Sequence, residues 1–412
     1  MKKVGLTSLI AALVLLLTGT ACHKLDEPYQ GEFSQVFVYM GLGYNNLSLN
    51  LKDDLMELKD GVLPELGRDK AVLAFCHNTA RSGDYLTPNP PCLLRLYRME
   101  GIGVIDTLKV YPSEMISASA ESIRTVLSDV KELFPSESYS MLLSSHSTGW
   151  IPPQYRAGTE QWSLSPRQMG IEGSESEWSS FPATKSIGAQ SSPNNVYEIE
   201  LKDFAAAIPM KMDYILFDAC LCGGIELAWE LRDVCDKIVF SPTEVLTMGF
   251  QYSSMIYNLM NGKEADLEQV CRDYFELYDA QSGNMRSATI SLVDCRRLDA
   301  LASEFTRILE SHPCDFGSFS RSGVQKYFYD NKAWFFDLRD FVRGLGATSS
   351  ELSALDAALS ECVLCHFETP SFFNVPMERC CGLSVYIPNP NFAILNDYYR
   401  TLGWNSVTGL VK

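Results

Sequence analysis

The sequence predicts an α/β fold: a mainly parallel central sheet with helices on both faces. Three observations carry this reading. Short runs rich in strand formers alternate with longer stretches whose apolar residues recur at helical spacing. Runs such as Tyr214-Ile-Leu-Phe217 are apolar without alternation, as strands buried on both faces are. The stretch 212–235 condenses the pattern into strand, sharp turn and helix, with Gly223-Gly224 at the turn.

The first 34 residues stand apart. Lys2-Lys3 and the apolar run 9–17 read as a signal peptide over 1–21, too short to span a bilayer. Gly19-Thr20-Ala21-Cys22 resembles a bacterial lipobox, which implies cleavage before Cys22 and lipidation of its thiol. That predicts an exported lipoprotein held to the membrane of the cell envelope, on the periplasmic side or at the surface. A plain secretory signal is the alternative. Residues 22–34 are polar and read as a tether, leaving 35–412 as one large domain. A net charge of -17 excludes a nucleic-acid partner. The thirteen cysteines of an exported chain predict some disulfides. Cys362, Cys365, His366 and vicinal Cys380-Cys381 lack the two spaced ligand pairs of a zinc site, so no metal is expected.

In order, strands are predicted at 35–40, 71–76, 93–99, 104–111 and 139–145, with helices at 51–63 and 117–133. Residues 78–91 read as a polar loop. The segment 151–195, rich in Ser, Pro and Gly, reads as a long functional loop. A helix follows at 201–207, then the strand and helix of 212–235 and a strand at 237–240. Helices are expected at 252–260, 266–277, 297–311, 350–359 and 392–402, and strands at 288–293, 363–367 and 382–387.

His146 follows one predicted strand, and Cys220 ends another. In parallel sheets ligands gather at the carboxyl ends of strands, so neighbouring strands would bring both side chains to one rim. A thiol beside an imidazole is the minimal nucleophilic pair, and backbone N–H groups at the turn can hold an oxyanion. A helix beginning just after Cys220 would favour its thiolate. The competing readings are a buried core cysteine and a strand-end histidine without chemistry.

Met141-Leu-Leu-Ser-Ser-His146-Ser-Thr-Gly-Trp150 and Tyr214-Ile-Leu-Phe-Asp218-Ala-Cys220-Leu221 resemble the two signature motifs of the clostripain family, cysteine peptidases related to caspases and gingipains. Lys185-Ser-Ile-Gly188, Gly382-Leu-Ser-Val-Tyr-Ile-Pro388 and Tyr398-Tyr399 extend the likeness over most of the chain. The resemblance implies a caspase-like fold, with His146 as general acid/base and Cys220 as nucleophile. It implies an oxyanion hole from the backbone N–H groups of Ser147 and Cys220. Asp218 would lie at the base of the pocket that takes a basic side chain before the scissile bond, where a carboxylate pairs well with a guanidinium. Activation by cleavage is implied within 151–195, where Arg156, Arg167 and Lys185 are the basic candidates. Some relatives use calcium; no calcium-binding loop spacing is visible here, and no other cofactor is called for. The expected partners are a protein or peptide substrate and, through the lipid, a membrane; the chain is expected to act as a monomer.

Two positions depart from the family pattern. Ser147 replaces a usual glycine, which predicts a side chain crowding the site, and Met248 stands where a second acid is often found. The leading reading is therefore a membrane-anchored cysteine endopeptidase, with open preference for basic residues. The alternatives are a catalytically silent surface binding or scaffold lipoprotein, and another thiol reaction on the same fold.

Overall fold

The computed structural model describes residues 28–81, 84–153, 155, 190–191, 196–328 and 334–412. Among these, the main sheet comprises β1 (Gln35–Gly41), β2 (Lys70–Cys76), β3 (Cys92–Met99), β4 (Ile102–Val110), β5 (Tyr139–Ser144), β6 (Met212–Asp218), β7 (Cys235–Phe240), β8 (Thr289–Asp294) and β9 (Val363–Glu368). Their order across the sheet is β9-β8-β7-β6-β5-β1-β2-β3-β4. The central strands from β7 to β2 are mutually parallel. The outer strands are antiparallel. The division follows the sequence: β1 and β5 are buried throughout and need cover on both faces, whereas edge strand β4 is largely exposed. The β3–β4 hairpin turns on Glu100 and Gly101, both with positive φ, which suits the twist of a tight hairpin.

The chain runs outward from β1 to β2 and later returns to build β5, β6 and β7 on the other side of β1. The order therefore reverses between β1 and β5. A crevice opens at the carboxyl ends of strands at such a switch point.

Helices α1 (Ser48–Asp60), α2 (Ala120–Leu133), α3 (Leu201–Ala207) and α4 (Ile225–Leu231) lie along the parallel half of the chain. They are followed by α5 (Tyr252–Met260), α6 (Leu267–Asp279), α7 (Leu298–Ser311), α8 (Leu338–Gly344), α9 (Ser349–Cys362), α10 (Ala393–Tyr399) and α11 (Gly403–Thr408). Register shows that both faces are covered. Tyr39, Leu142 and Leu216 are partners across β1, β5 and β6, so they share a face. Tyr252 of α5 packs on Tyr39 with ring centroids 5.8 Å apart. Phe217 points to the opposite face, where Phe204 of α3 meets it at 6.1 Å. Local signals set helix ends: Ser119 Oγ accepts from the N–H of Ser122 before α2, and Thr348 with Glu351 forms a capping box before α9.

Several expectations are corrected. The loop over 78–91 contains a small hairpin, Thr79–Arg81 with Asp84–Pro88. The strand over 382–387 shrinks to Ser384–Val385, because its partner is the two-residue Phe336–Asp337. The helix expected over 392–402 shortens to α10, and a second helix, α11, follows it, with Gly403 N–H held by Glu230 between them. The described cysteines, Cys76 to Cys381, are all free thiols, so the expected disulfides are absent among them. Most of them sit in or against the core as small apolar residues, a common fate of free cysteine.

Glu226, in the first turn of α4, is buried. Its Oε1 accepts from Tyr386 N–H at 2.8 Å and from Tyr399 O–H at 2.7 Å. Those two tyrosines box Trp150, with centroids 4.9 and 5.0 Å away. One carboxyl thus ties the end of the chain to the helix after the central turn. Burial pushes that carboxyl from 4.5 up to about 7. The folded form therefore holds the proton more tightly than the unfolded chain, and stability falls as pH rises from about 4.5 to about 7. Glu226→Gln removes this dependence while retaining an acceptor oxygen. Unfolding measured across pH should show the variant gaining on the wild type by on the order of 3 kcal/mol between those limits. Parallel curves would show that the carboxyl is not charged at the cost described.

Candidate active site

The site is built by register. Ser144, the last residue of β5, pairs with Asp218, the last of β6, and Ser145 N–H reaches Asp218 O at 3.4 Å. Two residues beyond each strand come His146 and Cys220. The two predicted residues therefore leave adjacent strands at the same rim, beside the switch point. His146 is 5% exposed and Cys220 1%. His146 Nε2 lies 2.6 Å from Asn46 Oδ1, which belongs to the loop after β1. Cys220 Sγ accepts from Val245 N–H at 3.3 Å and lies 3.7 Å from Val245 O. The thiol thus donates to Val245 O, and the Val245 amide faces the sulfur from the same residue. That amide comes from the loop after β7, not from the start of α4 as the sequence suggested.

The turn after Cys220 is held from below. Leu221 has φ +58°, uncommon for a branched side chain. Its N–H donates to Thr243 O at 2.8 Å, and Gly223 N–H donates to Ser241 O at 2.7 Å. Ser384 N–H donates to Gly223 O at 2.8 Å. Gly223 presses on Pro242 so closely that a Cβ would sit 2.3 Å from its nitrogen. These bonds over-determine a conformation that costs energy in isolation.

Ser147 does not crowd the site. Its side chain turns inward, where Oγ accepts from Gly149 N–H at 2.9 Å and from the Cys222 thiol at 3.0 Å. Both residues are fully buried. Burial pushes the Cys222 thiol up to about 12, so it stays protonated and does not compete with Cys220.

Asp218 is fully buried below the rim. One oxygen accepts from Tyr252 O–H at 2.5 Å and from Ser144 O–H at 3.2 Å. Gly249, with φ +60°, closes over it: a Cβ there would lie 2.4 Å from that oxygen. Tyr278 O–H holds Gly249 O at 2.8 Å, and Met248 beside it is 42% exposed. The carboxylate thus lies covered beneath the 248–250 loop.

Cys22, Arg156, Arg167 and Lys185 lie outside the described residues. Among the described residues no three His, Cys, Asp or Glu side chains gather to hold a metal ion. Sequence reasoning missed Asn46, Val245, Gly249 and Tyr252. Gly-Tyr-Asn-Asn after β1 was legible only as a turn, and nothing in Val245 announces an amide aimed at sulfur.

Two substitutions test this geometry. Cys222→Ser keeps a hydroxyl against Ser147 Oγ and should leave Cys220 alkylation by iodoacetamide within about twofold of wild type. Gly249→Ala forces a side chain into Asp218 from a left-handed backbone. Its thermal unfolding should reveal a loss of about 2 kcal/mol or more. An unchanged midpoint would show that the loop does not press on the carboxylate.

The sequence profile of the clostripain family matches residues 173–366, a span that contains Cys220 and begins after His146. The fold is similar to that of an inactive zymogen C11 protease from Parabacteroides distasonis: 24% identity, 92% of this chain, 99% of that one, TM-score 0.71. A secreted C11 cysteine protease from Bacteroides thetaiotaomicron, iotapain, matches at 23% identity over 92% of this chain and 100% of that one, TM-score 0.72. A secreted C11 protease from the same organism, bound to an irreversible peptide inhibitor, matches at 21% identity over 91% and 99%, TM-score 0.73. No curated protein sequence matches the chain.

Proposed function

We propose that this chain is a clostripain-like cysteine endopeptidase working through His146 and Cys220, a reading that its family match and its fold support. The carrying observation is the β5–β6 register, which delivers both residues to one rim. His146 takes the thiol proton, Cys220 sulfur attacks the peptide carbonyl, and the imidazolium returns the proton to the leaving amine. Water then hydrolyses the thioester. The backbone N–H groups of Ser147 and Cys220 are assigned to the oxyanion.

The buried Asp218 supports a preference for Arg or Lys before the scissile bond. Exposed Met248 supplies apolar contact where a second acid would add charge. Burial of both reacting side chains supports a latent state opened by cleavage within 151–195, at Arg156, Arg167 or Lys185. One compared structure is described as an inactive zymogen, which agrees with latency. Lipidation of Cys22 would hold the enzyme to the cell envelope.

A peptidyl acyloxymethyl ketone with Lys or Arg next to the warhead should label Cys220, and His146→Ala should abolish the labelling. Labelling elsewhere, or persistence without His146, would contradict the dyad. Met248→Asp should raise kcat/KM for arginyl substrates roughly fivefold, the worth of one exposed ion pair, and leave leucyl substrates unchanged. Cys220→Ala should remain a single chain on a denaturing gel while the wild type is nicked; nicking of both would place the cut in another protease's hands.

A further inference from the structure

We propose that Asn46 is a positioning residue for His146: its carboxamide oxygen accepts the imidazole Nε2–H, fixing the ring's tautomer and orientation so that Nδ1 receives the Cys220 proton. The inference rests on the peptidase reading above. The 2.6 Å contact between Asn46 Oδ1 and His146 Nε2 carries it. A carboxamide oxygen only accepts, so the ring nitrogen facing it holds the hydrogen. Which nitrogen of a histidine acts is set by the bond the other makes.

The placement is not a chance meeting of mobile side chains. Leu42 N–H donates to Ser144 O at 3.1 Å, and Ser145 Oγ donates to Leu42 O at 2.7 Å. The loop after β1 is therefore stitched to the two residues preceding His146. At its far end, Asn45 Oδ1 accepts from Leu47 N–H at 2.8 Å, and Ser48 Oγ donates to Asn45 O at 2.6 Å. Asn46 is the exposed residue between buried Asn45 and buried Leu47. A core role would bury it; here both flanking residues are anchored and its own side chain is given to the histidine. The contact also crosses the β1–β5 switch point, where sheet topology concentrates function.

The test uses the full chain, after activation, with a peptide substrate it cleaves. Asn46→Ala should lower kcat about tenfold or more while KM stays within twofold, since orientation of the base is lost and substrate contacts are not. Asn46→Asp, which keeps an acceptor oxygen, should recover much of that loss. Nitrogen-15 NMR of labelled histidine reads the tautomer without turnover: neutral His146 should carry its hydrogen on Nε2 in the wild type and lose that bias in Asn46→Ala. Unchanged kcat in Asn46→Ala, no recovery with Asp, or a hydrogen on Nδ1 would overturn the assignment. The peptidase reading fails separately, if Cys220→Ala or His146→Ala retains cleavage.

Discussion

The parallel pairing of β5 with β6, in register from Ser140 and Tyr214 to Ser144 and Asp218, is the constraint on which the rest depends. A slip of one residue would turn every side chain of β6 to the other face. Asp218 would leave Tyr252, and Cys220 would leave the rim. Register is secured because both strands are apolar over their central residues and buried between helical layers. The meeting of two distant strand ends at one rim is thus inherited from hydrophobic burial, with no local motif needed to bring them together.

From that register the surrounding loops acquire their tasks. The loop after β1 meets the histidine through Asn46, and the loop after β7 meets the sulfur through Val245. The 248–250 loop closes over Asp218, and the Ser384 segment holds the turn at Gly223. Each functional group has a partner from another part of the chain, which keeps a strained turn at Leu221 in place. Burial of His146 and Cys220 belongs to the same arrangement.

Much of this was legible in the chain itself. The central strands announce themselves because burial on both faces leaves them uniformly apolar, and α2 is visible in Ile123, Val126, Leu127 and Val130. His146, Cys220 and Asp218 were readable as strand-end residues. The second tier was not. Ser147 was expected to obstruct, and only the fold shows its hydroxyl facing Cys222. The short strand Ser384–Val385 depends on a two-residue partner and on Gly223, neither of which has a periodic signal. Asn46 and Val245 act through a side chain and an amide that any turn contains. Disulfides were inferred from cysteine number, which does not register that these thiols fill apolar space.

The most direct test of the central claim is the pH dependence of Cys220 alkylation by iodoacetamide in the activated protein and in His146→Ala. If the imidazole and the sulfur share a proton at this rim, the wild type should react with an inflection well below the ordinary thiol value of about 8.5. Removing the histidine should move the inflection up toward that value. Coincident profiles would mean that the two groups do not interact, and that the register brings them to one rim without making them a catalytic pair.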